Sequence, residues 1–176
     1  MGTISTLISE EEIQQKLVEM GASITSDYQG KDLLVVGVLK GAFMVMADLS
    51  RHIDLPVEFD FMAVSSYGAS TQSSGVVRIL KDLDQEIAGK HVLIVEDIID
   101  SGLTLSYLIK SLKVRKPASI EIATLLWKEG IQRVPIEVKY PGFSIGPEFV
   151  VGYGLDYAGK YRNLPYIGVL EGNPDG

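Results

Sequence analysis

Val92-Leu-Ile-Val-Glu-Asp-Ile-Ile-Asp-Ser-Gly-Leu-Thr104 carries an apolar run into a turn and on into a helix. Val92 to Val95 suits a short buried strand, and Asp100-Ser-Gly102 suits a turn. Leu105, Leu108, Ile109 and Leu112 then recur at helical spacing and stop before Pro117. Two adjacent carboxylates, Glu96 and Asp97, close the strand, and a third, Asp100, follows two isoleucines. Ser101, Gly102 and Thr104 open the helix, where free backbone N–H groups and hydroxyls form a cradle for phosphate. Carboxylates just upstream suit ribose hydroxyls or a magnesium ion. An acidic site beside a phosphate site describes a sugar phosphate, with a cation to offset repulsion. Asp100 or Ser101 on its own would more simply cap the helix. The full segment favours the ligand over the cap.

The same alternation extends in both directions. Ser9 and Glu12 form a capping box, and Ile13, Leu17, Met20 and Ile24 follow at helical spacing. Leu33 to Leu39 is a continuous Val-rich run, as expected of a strand covered on both faces. Ala42 to Arg51 reads as helix, and Phe59 to Val64, Ile120 to Trp127, Phe149 to Val151 and Ile167 to Leu170 read as strands. Strands alternating with helices predict an α/β fold, a parallel twisted sheet flanked by helices. Such sheets bind ligands beyond the carboxyl ends of their strands. Lys40-Gly41, Glu96-Asp97 and Lys128-Glu129 all follow apolar runs. No repeat or linker divides the chain, so residues 1–176 read as one domain, with a solvated tail from Glu171.

The chain has 176 residues, 16 Lys plus Arg against 23 Asp plus Glu, and a formal charge of −7. That balance opposes a surface built to coat nucleic acid or an anionic membrane. The absence of cysteine removes disulfides, thiolate metal sites and a cysteine nucleophile, and fits a reducing, cytoplasmic setting. The first twelve residues lack a basic segment leading into an apolar run, so no secretory signal is expected.

With these residues in view, the 92–104 segment resembles the phosphoribosyl-diphosphate motif of the type I phosphoribosyltransferases, and more narrowly of the bacterial hypoxanthine-guanine phosphoribosyltransferases. Leu39-Lys-Gly41, Ser65-Ser-Tyr-Gly68, Leu125-Leu-Trp-Lys128 and Phe149-Val-Val-Gly-Tyr-Gly-Leu-Asp-Tyr157 extend the likeness, in order, from about Val36 to Leu170. The resemblance implies purine salvage. Hypoxanthine or guanine attacks 5-phosphoribosyl 1-diphosphate and displaces pyrophosphate, giving IMP or GMP with magnesium as cofactor.

It also implies roles, residue by residue. Glu96 and Asp97 bind ribose hydroxyls, partly through magnesium. Asp100 is the general base near the purine N7. The stretch Asp100, Ser101, Gly102, Leu103 and Thr104 holds the 5′-phosphate, with Leu103 giving only its amide. Lys128 donates to the purine O6, Phe149 stacks on the ring, and the Val150 backbone reads the purine edge. Asp156 helps hold a second magnesium, and its backbone lies near the purine amino edge. Lys40, Gly41, Ser66, Tyr67 and Arg162 contact pyrophosphate, and the Lys40-Gly41 peptide is often cis in the family. Residues of about 66–76 form a mobile lid, the N- and C-terminal segments form a small hood over the purine, and the assembly is a homodimer or homotetramer. Taken singly, several of these residues have plainer readings. Lys128 could be a surface lysine after a strand, Phe149 a core residue, and Arg162 a solvated charge.

Two look-alike motifs fail. Gly154 to Lys160 nearly spells a phosphate loop, but Tyr161 replaces the required Ser or Thr. Gly152-Tyr-Gly154 lacks the strand–helix context of a dinucleotide fingerprint. His52 and His91 have no motif support. The rival functions are a regulatory nucleic-acid binder on the same fold, opposed by the charge, and an enzyme for adenine or uracil. Lys128 opposes adenine, and the Val150-Val-Gly-Tyr153 segment opposes uracil.

Overall fold

The computed structural model describes residues 3–66 and 77–172. Nine strands and three helices run in the order β1 (Ile4–Ile8), α1 (Glu10–Asp27), β2 (Leu33–Leu39), α2 (Phe43–Ser50), β3 (Glu58–Ser66), β4 (Val77–Lys81), β5 (His91–Ile99), α3 (Leu103–Lys113), β6 (Ser119–Lys128), β7 (Tyr140–Ile145), β8 (Val150–Val151) and β9 (Ile167–Leu170) among the described residues. Six strands form the main sheet in the order β4-β3-β2-β5-β6-β7. It is parallel except at β4, which runs antiparallel to β3.

The apolar run of β2 shows why the sheet is buried on both sides. Successive side chains point to opposite faces. Leu33 and Val35 pack into the layer of α1 and α2, while Leu34, Val36 and Val38 pack into the layer of α3. Gly37 leaves the space that the Met46 thioether of α2 and the Phe61 ring occupy. The capping box of α1 forms as expected: the Glu12 N–H donates to Ser9 Oγ at 3.1 Å and the Ser9 N–H to Glu12 Oε1 at 3.1 Å. Buried Asp60 fixes the connection from β4 to β5, accepting from the Asp84 and Gln85 amides at 2.9 and 3.3 Å with Lys81 Nζ at 3.7 Å.

Three strands went unread in the sequence. β1 is short and directly precedes the capping box, and β4 follows a long polar stretch. β7 contains Pro141 and Gly142, which argue against a strand unless it lies at an edge, and β7 is the edge strand. The strands predicted at Phe149–Val151 and Ile167–Leu170 form as β8 and β9 but leave the parallel sheet. They join β1 in a separate antiparallel sheet of order β1-β9-β8, so segments remote in sequence meet there.

Candidate active site

Strand β5 continues past Val95 to Ile99, pairing Glu96 with Thr124 and Ile98 with Leu126 of β6. Glu96 is thereby buried and Asp97 half-buried. Burial, and then the charge of Asp97, push the Glu96 carboxyl well above its ordinary value. Burial also raises Asp97, to about 6, against the opposing pull of the Ile98 and Asp97 amides and the Arg162 charge. The Ile98 N–H donates to Asp97 Oδ1 at 2.7 Å.

Two other loops close on this acid pair. A Cβ at Gly41 would run into the Asp97 carboxylate, and a Cβ at Gly154 would run into the Gly41 carbonyl. Glycine at both positions is what lets the loops touch. The cis peptide here joins Leu39 to Lys40, one bond before the Lys40–Gly41 link inferred from the family. Without a proline no residue type marks such a bond, so its place was not legible in the sequence.

The turn after β5 is held from the other side. Asp100 and Lys128 form an ion pair at 3.5 Å, with side chains 57% and 16% exposed. Gln132 Nε2 donates to the Asp100 carbonyl at 3.1 Å and to the Lys128 carbonyl at 2.6 Å, and the Arg133 N–H donates to the Ser101 carbonyl at 2.8 Å. Gly102, at φ 83, is the N-cap of α3 and brings no capping side chain of its own, and the side chain that accepts from the first helical amide is that of Ser101. Asp100 therefore serves as no cap and is free to face Lys128.

These parts line one cleft of about 410 Å³. From the segment quoted first come Glu96, Asp97, Asp100, Ser101, Gly102 and Thr104, and from elsewhere Gly41, Lys128, Phe149, Val150, Asp156 and Arg162. Lys40 is exposed, and neither it nor Leu103 lines the cleft. The Leu103 amide donates instead to Ser101 Oγ at 3.4 Å. The side chain of Ser66, together with Tyr67 and the remaining lid positions, lies outside the described residues. Phe149 is no core residue: it is 51% exposed, with its ring edge-on to Tyr157 at 6.0 Å. Arg162 is no solvated charge: Nη1 donates to the Gly154 carbonyl at 2.6 Å, and Nη2 lies 3.3 Å from Asp156 Oδ1. Asp156 Oδ2 also accepts from the Gly159 N–H at 2.9 Å. Gln132 and Gly154 were not anticipated. A glutamine that donates to backbone carbonyls has no sequence signature, and the need for glycine at 154 arises from a loop distant in sequence.

The profile of the phosphoribosyl transferase domain matches residues 5–158. The chain is 59% identical over 165 residues to the hypoxanthine-guanine phosphoribosyltransferase of Bacillus subtilis, covering 94% of this chain and 92% of that one. To the enzyme of the same name from Mycobacterium avium it is 53% identical over 173 residues, covering 95% and 85%. Among solved structures, a hypoxanthine phosphoribosyltransferase from Staphylococcus aureus superposes with a TM-score of 0.93 at 52% identity, covering 95% of this chain and 91% of that chain.

Proposed function

The chain belongs to the phosphoribosyl transferase family, and on that premise we propose that its cleft transfers the phosphoribosyl group of 5-phosphoribosyl 1-diphosphate to hypoxanthine or guanine, releasing pyrophosphate and IMP or GMP. One observation carries the proposal. A single cleft gathers the Glu96–Asp97 acid pair, the Ser101–Thr104 helix opening and the Asp100–Lys128 pair.

The reaction forms a bond from a purine nitrogen to C1 of the ribose and breaks the bond from C1 to the pyrophosphate oxygen. The transition state has oxocarbenium character, so the protein aligns the groups and stabilises charge rather than supplying a nucleophile. Helix-opening amides and the hydroxyls of Ser101 and Thr104 hold the 5′-phosphate. Asp100, exposed at the cleft, accepts the purine proton. Lys128 donates to the 6-oxo group, whereas the 6-amino group of adenine is itself a donor and would leave the ammonium unpaired. Exposed Phe149 offers a stacking face to the base, and the adjoining β1-β9-β8 sheet serves as the hood.

The acid pair fits magnesium. Its donors are hard oxygens, and burial raises both Glu96 and Asp97, so a cation bound there would favour their charged forms. Glu96 and Asp97 would hold it, and when bound it offsets the negative charge of the departing pyrophosphate. Asp156 is engaged by Arg162 and would take a second ion as Arg162 turns to pyrophosphate. By family likeness we assign the 66–76 segment as the lid and the protein as a cytoplasmic homodimer or homotetramer. No helix among the described residues is long and apolar enough to cross a membrane.

Initial rates with hypoxanthine, guanine, xanthine and adenine, each with phosphoribosyl diphosphate and with or without magnesium, test the reading. Pyrophosphate release with a 6-oxopurine and magnesium is expected. Turnover with adenine alone would overturn it.

A further inference from the structure

Gly152, Tyr153 and Gly154 have φ values of 100°, 50° and 100°, three consecutive left-handed residues. Glycine adopts that region freely, but a tyrosine does so only where its surroundings compel it. Tyr153 is buried at 4% exposure, and its backbone N–H donates to the Leu164 carbonyl at 2.9 Å. Its hydroxyl donates to Asp48 Oδ2 on α2 and accepts from Gln14 Nε2 of α1 at 3.3 Å. Burial and the Asp48 bond raise the Tyr153 hydroxyl well above its ordinary value, so it remains a donor to Asp48.

The two ends of this strut are both tied to the cleft. Asp48 lies on the helix that the Lys40-Gly41 loop leads into. Tyr153 precedes Gly154, which abuts the Gly41 carbonyl and whose own carbonyl receives Arg162. The loop then continues to Asp156, which Arg162 also holds.

We propose that the Tyr153–Asp48 hydrogen bond, steadied by Gln14, is a positioning device that sets the 152–156 loop, and through it Arg162, against Gly41 and Asp97. The role deepens the transferase reading and rests on it. Lys128 is carried by β6, and Phe149 lies on the far side of β8 from the loop, so loosening the strut disturbs the pyrophosphate side of the cleft more than the base side.

Tyr153→Phe removes only the hydroxyl, Asp48→Asn weakens the acceptor, and Arg51→Ala breaks only the outer Arg51–Asp48 ion pair at 3.8 Å. Full kinetics of the holoenzyme with magnesium should show KM for phosphoribosyl diphosphate rising about tenfold in Tyr153→Phe and in Asp48→Asn, with KM for the purine within about twofold. The losses in the double variant should fall well short of multiplying, because both changes act on the same bond. Arg51→Ala should match wild type. Lowered thermal midpoints with unchanged kinetics, equal rises in both KM values, or multiplied losses in the double variant would each overturn the proposal. Should Tyr153→Phe fail to fold, the half-exposed Asp48→Asn decides on the same criteria. A wild type that turns over no purine overturns the functional reading and this role together. An active wild type with unaffected variants overturns this role alone.

Discussion

Replacing Asp97 by asparagine should make the protein more stable while removing its activity. Burial holds the Asp97 carboxyl at about 6 in the folded chain against an ordinary 3.8. A raised folded-state value means that the fold binds this proton more tightly than the unfolded chain does. Ionisation therefore costs the fold nothing below about pH 4, an increasing amount between about 4 and 6, and a constant amount above that. At about 1.4 kcal/mol per pKa unit, the penalty at neutral pH reaches about 3 kcal/mol. Asparagine keeps the shape and an oxygen for the Ile98 N–H but carries no charge, and it also relieves the repulsion on Glu96. Urea denaturation at pH 7.5 without magnesium should show Asp97→Asn ahead by about 2–3 kcal/mol, a rise of about 5–10 °C in Tm for a chain of this length. The advantage should vanish by pH 4. Magnesium should stabilise wild type at pH 7.5 and do little for the variant. A variant less stable than wild type at pH 7.5, or one with the same advantage at pH 4, would refute the reasoning.

Asp100→Asn should lower kcat by about 10²–10⁴-fold with little change in KM for phosphoribosyl diphosphate, because it removes a proton acceptor and keeps the shape. Steady-state kinetics with both substrates varied will separate that outcome from a binding role, which would raise KM instead. Lys128→Ala should reduce kcat/KM for hypoxanthine by about 10–100-fold, the worth of a charged hydrogen bond, and should narrow the gap between hypoxanthine and adenine in competition assays. Asp60→Ala strips the Asp84 and Gln85 amides and Lys81 of a buried acceptor. It should cost about 3–5 kcal/mol in urea denaturation, with kcat per folded molecule unchanged.

Much of the fold was legible because burial imposes period. The doubly covered run Leu33 to Leu39, the helical stripe from Ile13 to Ile24 and the Ser9–Glu12 box each mapped onto one element. The missed strands lacked that periodicity or contradicted it. β7 holds a proline that only an edge position tolerates, and edge position belongs to the assembled sheet. Likewise β8 and β9 were legible as strands, but their partner β1 lies at the other end of the chain, and no local pattern records a pairing over that distance.

The candidate site divides along the same line. Which residues are candidates for chemistry was legible in the chain alone: two acids at a strand end, a third before a Ser-Gly-Leu-Thr helix opening, and a lysine after the next strand. Those residue types at that spacing are local and chemical, so they survive in one dimension. How they work together was decided by tertiary structure. Only the fold pairs Asp100 with Lys128, presses Gly41 onto Asp97, turns Arg162 inward to Asp156, and raises Glu96 and Asp97 by burial. Electrostatic energy depends on distance and on exclusion of water, and neither quantity exists until segments remote in sequence have packed together.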